Sequence, residues 1–111
     1  MTERTATSLF GDINPKLADL TDDVLFADVW ERPELSPRDR SMITVAALVA
    51  GYRTNELKGH INRALDNGIT ETELFEMFTH LAFYAGWPCA VTATTIARGI
   101  LEERRNAEGN A

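Results

Sequence analysis

The segment from residue 42 to residue 50 constrains the fold most, because it is apolar on every side of the helix that it predicts. It reads MITVAALVA, and the polar residues here are Thr44 and the preceding Ser41. A helix that is apolar all round has to be buried all round. A domain of 111 residues leaves a large share of its surface in water. We therefore expect self-association to cover part of this helix, with central burial in a monomer as the alternative.

The rest of the chain also predicts helices, since the alternating β-branched runs that are typical of strands are missing. Capping residues or an early proline mark five starts: Asn14-Pro15, Ser36-Pro37, Thr54 as an N-cap, Thr70 with Glu73 as a capping box, and Pro88. The corresponding stops are Arg32-Pro33, Gly51, Asn67-Gly68, Gly86 and the polar C-terminus. The pattern predicts an all-α domain over residues 14–104, flanked by flexible segments 1–13 and 105–111.

Charge and composition narrow the class of protein. The net charge of −6 repels a nucleic-acid backbone, so we expect no nucleic-acid partner. The longest apolar run is far shorter than the ~20 residues that span a bilayer, so we expect no membrane helix. The first residues contain no apolar signal segment, and the single Cys89 cannot form an intramolecular disulfide. We expect a cytoplasmic protein.

Glu56 and His60 form the clearest candidate for chemistry. Their i, i+4 spacing places both side chains on one face of the third predicted helix, where a carboxylate can orient or polarise an imidazole. Such a pair suits proton transfer near neutral pH. From the spacing alone, an ordinary surface pair is the more common interpretation. Two potential ligands on one helix, without a third at diagnostic spacing, fall short of a metal site.

Other polar residues give weaker signals. Arg38, Arg40 and Arg53 can bind carboxylates through their guanidinium groups, or they can be solvated surface charge. His80 lies among apolar residues and indicates a packed core or interface histidine. Cys89 follows Trp87-Pro88 in an apolar stretch and predicts an inert, buried thiol rather than a nucleophile.

Three segments together resemble the carboxymuconolactone decarboxylase family, within the superfamily of alkylhydroperoxidase D-like proteins. They are DVWERPELSPRDRSMITVAALVA, ELKGHINRALDNGITETELFE and HLAFYAGWPCA, which lie between residues 28 and 90, within a resemblance that covers roughly residues 26–101. The redox branch of that superfamily uses a CxxC motif, whose cysteine positions hold Arg53 and Glu56 here, while an upstream acidic position holds Ser41. The chain therefore resembles the decarboxylase branch, although His80 stands where glutamine is usual and Cys89 where alanine is usual.

The resemblance implies an all-α fold of five to six helices that assembles as a homo-oligomer, a trimer or a hexamer. It also implies that His60 matches the active-site histidine and that Glu56 matches the acidic residue of the decarboxylase branch. Arg40 and Arg53 fall where related decarboxylases also carry arginine, which makes them candidates for binding a substrate carboxylate.

A mechanism compatible with these residues removes CO₂ from a small carboxylated lactone, such as an intermediate of aromatic compound catabolism. Arg40 or Arg53 would hold the carboxylates while His60, oriented by Glu56, supplies a proton to carbon. Aromatic side chains, for which the candidates are Trp30, Tyr84 and Trp87, would exclude water from the departing carboxylate. No metal or organic cofactor is required. Isomerisation or opening of a lactone, and a non-catalytic ligand-binding or assembly module, remain alternatives.

Overall fold

The computed structural model describes residues 4–109, and this part of the chain is helical and contains no strand. The all-α prediction is therefore confirmed. The α-helices are α1 Thr5–Phe10, α2 Pro15–Asp19, α3 Pro37–Ala50, α4 Thr54–Asp66, α5 Glu71–Ala85 and α6 Trp87–Gly109. A π-helical segment, Leu20–Phe26, and a 3-10 turn, Val29–Glu31, lie between α2 and α3. Within the described range, none of the helices combines the length and the apolar character needed to cross a membrane.

The chain divides into two compact units, Met1–Pro37 and Arg38–Ala111, which we call the N-terminal unit and the C-terminal unit. The division falls inside the predicted domain of residues 14–104. Residues 1–3, part of the predicted flexible N-terminus, lie outside the described residues, as do residues 110 and 111 of the predicted tail. Each unit is described separately below.

The N-terminal unit begins with a helix that the sequence did not predict. Residues 5–10, within the segment predicted as flexible, form α1, and α2 then begins at Pro15 as expected. The side chain of Asn14 accepts a hydrogen bond from the backbone N–H of Leu17 at 3.3 Å, which confirms the predicted cap. The prediction of one continuous helix to Arg32 was wrong, because the π-helical segment widens the turn and Ala27 donates to the carbonyl of Asp22, five residues back.

Asp22 connects the two ends of the N-terminal unit. Its carboxylate is buried and accepts hydrogen bonds from Ala6 N at 2.9 Å, Thr7 N at 2.9 Å and Thr7 Oγ1 at 2.8 Å. It thus satisfies backbone N–H groups in the first turn of α1, where the side chain of Arg4 makes no capping bond. Because a helix of six residues is marginal on its own, this contact accounts for its presence.

The C-terminal unit contains the apolar core, to which all four of its helices contribute. The buried members are Val45, Val49, Leu57, Ile61, Ala64, Ile69, Leu74, Phe78, Ala93, Ala97 and Ile100. Small alanines at positions 93 and 97 let α6 approach its neighbours closely, while Phe78 and the leucines fill the remaining volume. This core holds α4 in place and thereby positions the candidate site.

Helix α3 is buried on one stripe rather than all round. Ser41, Val45 and Val49 follow one another at i+4 spacing and are buried, whereas Ile43 is 59% exposed. The prediction that α3 is buried on every side is therefore wrong for the single chain, because the other helices of the unit cover only one face of it. A chain of this size was expected to leave part of α3 exposed. That self-association covers this exposed apolar face stays a prediction.

The connections between helices follow the predicted stops with one correction. Thr54 is not the N-cap of α4: that position is Arg53, which makes no side-chain capping bond. Gly51 does not take the left-handed conformation after α3; Tyr52 does, with φ of 56°, a conformation uncommon for a bulky residue.

Two later signals were correct. The capping box of Thr70 with Glu73 opens α5, with bonds of 3.1 Å and 3.0 Å in the two directions. Gly68 and Gly86 have φ of 104° and 110°, which L-residues avoid, and they end α4 and α5. Helix α6 continues to Gly109, so residues 105–109, predicted as part of a tail, are helical.

Candidate active site

Helix α4 carries the predicted acid–base pair because its apolar residues fix which way it faces. Leu57, Ile61 and Ala64 are buried against the core and set the inner stripe. Glu56 and His60 lie one helical turn apart beside that stripe. Their shared face is thus a direct consequence of the spacing that the sequence displays.

The two members of the pair differ in their environment. His60 is half-buried and its Nδ1 atom is fully shielded, whereas Glu56 is exposed in the single chain. Burial lowers the pKa of His60, the positive charge of Arg63 lowers it further, and the carboxylate of Glu56 acts in the opposite direction. The net pKa lies below the ordinary value, so the neutral form of His60 is favoured at pH 7 in the free protein.

Arg63 is a neighbour that the sequence analysis missed. It lies three residues after His60 on the same helix and is half-buried, and burial lowers the pKa of its guanidinium. A guanidinium in partial shelter from water binds a carboxylate more strongly than an exposed one. The signal that could have found it is the i+3 spacing from His60, the same rule that linked Glu56 with His60.

The two arginines predicted from the resemblance lie at helix starts. Arg40 lies in the second turn of α3, is half-buried, and its Nε atom is shielded from solvent. Arg53 is the N-cap residue of α4, and it is exposed. Its backbone N–H donates to the carbonyl of Leu48 at 2.9 Å, which closes the α3–α4 turn.

Arg38, the third arginine considered, is engaged in a structural contact. Its guanidinium pairs with the carboxylate of Glu73 and approaches Asp39 at 3.4 Å. The N–H group of Thr70 and the charge of Arg38 together hold the pKa of Glu73 below its ordinary value. Arg38 therefore joins the start of α3 to the start of α5 rather than offering a binding group.

The three predicted aromatic residues occupy different places. Trp30 lies in the N-terminal unit, half-buried, with its ring 6.1 Å from that of Phe26. Tyr84 is 80% exposed and stacks on His80 at 4.8 Å between ring centroids. Trp87 is 58% exposed, and its ring meets that of Phe83 edge-on at 5.1 Å. Their roles as a wall around the substrate stay predictions.

His80 and Cys89 also have identified surroundings. His80 is exposed rather than packed in the core of the single chain. Cys89 packs against the core but is half-buried rather than fully buried, and its inertness stays a prediction. Across residues 4–109, no three histidine, cysteine or acidic side chains gather in a way that could hold a metal ion.

Comparison with known proteins identifies the family to which the chain belongs. The sequence profile of the carboxymuconolactone decarboxylase family matches residues 15–99. The chain is a member of that family. The resemblance stated from three sequence segments is thereby confirmed.

Two curated relatives are more specific. The chain is 33% identical over 92 residues to 4-carboxymuconolactone decarboxylase of Acinetobacter baylyi, an alignment that covers 83% of this chain and 69% of that protein. It is 32% identical over 75 residues to nitrosuccinic acid decarboxylase of Metarhizium robertsii, covering 68% of this chain. The match spans about half, 52%, of the fungal protein. Both relatives are named as decarboxylases.

Proposed function

We propose that the protein is a decarboxylase that removes CO₂ from a small carboxylated lactone or a related activated acid. The observation that carries the proposal is a half-buried histidine on α4, with an acidic and a basic neighbour within one turn, in a chain of the carboxymuconolactone decarboxylase family. The two curated relatives, each a named decarboxylase, support the reaction type.

The substrates in the relatives' names share an electronic pattern. One is a carboxylated unsaturated lactone and the other is a nitro-substituted dicarboxylic acid. In each, the electron pair left behind by CO₂ can move onto the oxygen of a carbonyl or nitro group. The class that we propose for this chain is therefore a small anion in which the departing carboxylate is activated by such a group.

The proposed roles follow from charge. Arg63, Arg40 or Arg53 holds the carboxylates and offsets the negative charge that develops on the acceptor oxygen. His60 then delivers a proton to carbon, and Glu56 keeps the imidazole oriented and favours its protonated form. When the C–C bond breaks, its electron pair moves to the acceptor group, and protonation at carbon restores a neutral product centre.

The depressed pKa of His60 adds a requirement to this mechanism. In the free protein the lowered pKa favours the neutral imidazole at pH 7, whereas an acid has to be in the protonated form. A substrate with two negative charges favours the protonated form, because an opposite charge nearby raises a histidine pKa. We therefore expect one proton to be taken up when the substrate binds.

The test is turnover of 4-carboxymuconolactone and of nitrosuccinate, measured as CO₂ released, with the intact chain and with His60→Ala. Because positioned proton transfer contributes at least about 10²-fold, we expect a loss of at least about ten-fold in kcat/KM. His80→Ala is the matched control, since the chain has two histidines and His80 is exposed. Helix content by circular dichroism confirms that each variant folds.

Three outcomes separate the alternatives. Equal turnover by His60→Ala and the intact chain contradicts the role of His60. Product formation without loss of CO₂ indicates isomerisation or lactone opening. Thermal stabilisation by these acids without any turnover indicates a ligand-binding module instead.

We also propose that the chain works as a homo-oligomer, a trimer or a hexamer. Apolar side chains remain exposed on both units, among them Ile13 at 82% and Ile43 at 59%. Exposed apolar surface of this extent is typical of an interface. Light scattering during size-exclusion chromatography gives the mass in solution, and a monomer of 12.3 kDa at micromolar concentration would contradict the proposal.

A further inference from the structure

The C-terminal unit has a groove between α5 and α6, to which none of the residues given a role in the proposed reaction, His60, Glu56 and the arginines Arg40, Arg53 and Arg63, contributes. It encloses about 470 Å³, within the range of small-molecule sites, and neither Glu56 nor His60 lines it. Of the residues predicted to contact the substrate, it includes Trp87. We propose that this groove binds a small carboxylate with an apolar body, at a site separate from the acid–base pair.

The residues that line the groove recur at helical spacing on α5 and α6. On α6, Trp87, Val91 and Thr95 form one row at i+4 spacing, and a second row is formed by Ala90, Thr94 and Arg98. On α5, the lining includes the small Ala82 and the aromatic residues Phe78 and Phe83. Small side chains at positions 82 and 90, flanked by aromatic rings, leave the hollow open.

The polar groups that line the groove favour a negatively charged ligand. Its three threonine hydroxyls donate to backbone carbonyls: Thr79 to Phe75 at 3.0 Å, Thr94 to Ala90 at 2.8 Å and Thr95 to Thr92 at 2.9 Å. Their hydrogens are therefore already used. The charged side chain in the lining is Arg98, a strong donor that suits a carboxylate.

Arg98 differs from the other arginines of α6. Arg104 pairs with Asp66 at 2.9 Å, and Arg105 pairs with Glu71 at 3.0 Å. Within residues 4–109, Arg98 has no such acidic partner. Glu102 lines a neighbouring cavity that Arg98 also borders, but the two form no ion pair. The guanidinium is thus available at one end of a groove whose walls are apolar.

The experiment uses the fluorescence of Trp87 as the reporter. The chain has two tryptophans, so Trp30→Phe leaves Trp87 as the sole emitter. The probes are phenylacetate and its uncharged analogue phenylacetamide. Because a charge-assisted hydrogen bond contributes about 1.5–3 kcal/mol, we expect phenylacetate to bind at least about ten-fold more tightly. Calorimetric titration of the unmodified chain checks that the tryptophan change has not altered binding.

Substitutions of arginine on α6 then locate the carboxylate. Arg98→Met retains the length of the side chain and removes its charge, so we expect affinity for phenylacetate to fall by at least about ten-fold. Arg98→Lys restores most of that affinity. Arg105→Met, on the same helix but outside the groove, leaves it unchanged and serves as the matched control.

Three results would overturn the proposal. Equal binding of the acid and the amide, or no effect of Arg98→Met, would mean that the groove is merely an apolar surface. A Trp87 spectrum that changes with protein concentration and not with phenylacetate would mean that a second copy of the chain fills it. None of these results bears on decarboxylation, because neither His60 nor Glu56 lines the groove. For the same reason, His60→Ala is expected to retain phenylacetate binding.

Discussion

The N-terminal unit and the C-terminal unit are both helical, but different interactions hold them together. In the described part of the N-terminal unit the buried side chains are Ala6, Ala18 and Asp22, while many of its aliphatic residues stay exposed: Leu9, Ile13, Leu17, Leu20, Val24, Leu25 and Val29. The C-terminal unit buries leucine, isoleucine, valine and phenylalanine in one core. An apolar pattern at helical spacing therefore predicts a helix in both units but a core in only one of them.

The difference has a thermodynamic meaning. Burial of large apolar side chains is the main favourable contribution to folding, and each one contributes about 1.5–3 kcal/mol. The C-terminal unit has this source of stability within itself. In the N-terminal unit the buried carboxylate of Asp22 accepts hydrogen bonds from Ala6 and Thr7, while its leucines stay exposed.

The largest test of this comparison is Phe78→Ala. Phe78 is 1% exposed and its ring packs edge-on against that of Phe75, with 6.1 Å between centroids. Removing it leaves a cavity, and we expect the free energy of unfolding to fall by about 3–5 kcal/mol in urea denaturation. Phe83→Ala on the same helix is the matched control, since Phe83 is 73% exposed, and a change within about 0.5 kcal/mol is expected. Equal losses in the two variants would contradict the assignment of the core.

A smaller effect is expected from Arg104→Met, which tests how much polar contacts add to the packed unit. Arg104 donates to the side-chain oxygen of Asn62 at 3.0 Å, to its backbone carbonyl at 2.9 Å and to Asp66 at 2.9 Å. These bonds join α6 to α4 at a partly exposed site, so we expect a loss of about 1 kcal/mol in urea denaturation. Arg105→Met, whose partner Glu71 is exposed, should change it by less than about 0.5 kcal/mol. A loss as large as that of Phe78→Ala would show that ion pairing rivals the core.

Some of the fold could be predicted from the sequence because the decisive signals are local. The capping box at Thr70 and the glycines at positions 68 and 86 fix helix ends through neighbouring atoms alone. The start of α1 could not be found in this way, since the carboxylate that satisfies it lies 15 residues or more along the chain. The left-handed residue after α3 was also missed, because Tyr52 takes a conformation that Gly51 could adopt more easily.

The same distinction between local and long-range signals applies to the candidate site. Glu56, His60 and Arg63 share a face of one helix, which spacing alone predicts, although Arg63 went unnoticed. The degree to which His60 is buried depends on the packing of the whole unit, and so does the direction of its pKa. The ring contacts of Tyr84 and Trp87, where α5 is followed by α6, could be identified only from the fold.

Asp22→Asn should leave the stability of the C-terminal unit unchanged and loosen only α1. Asparagine offers one acceptor oxygen where aspartate offers two, and its amide group cannot accept from the N–H of Thr7. We expect faster hydrogen exchange at the amides of Ala6 and Thr7, with no change for buried amides such as that of Ile61. Asp23→Asn is the matched control, because Asp23 is exposed and its partner is the side chain of Arg4. Loss of protection throughout the chain would mean that the two units unfold as one.

The least disruptive test titrates Asp22 itself. Burial on its own would raise the pKa of Asp22, but the hydrogen bonds from Ala6 and Thr7 outweigh it, and the pKa lies below the ordinary value. A carboxyl whose pKa is lower in the folded state contributes stability above its unfolded pKa of about 3.9 and loses it as the pH falls through the folded pKa. We therefore expect the amide resonances of Ala6 and Thr7 to move together below about pH 3.9, while most of the helical circular dichroism remains. If the same resonances move in Asp22→Asn, the titrating group is not Asp22. If all helical circular dichroism is lost at the same pH, the two units unfold together, which would contradict the difference drawn here between them.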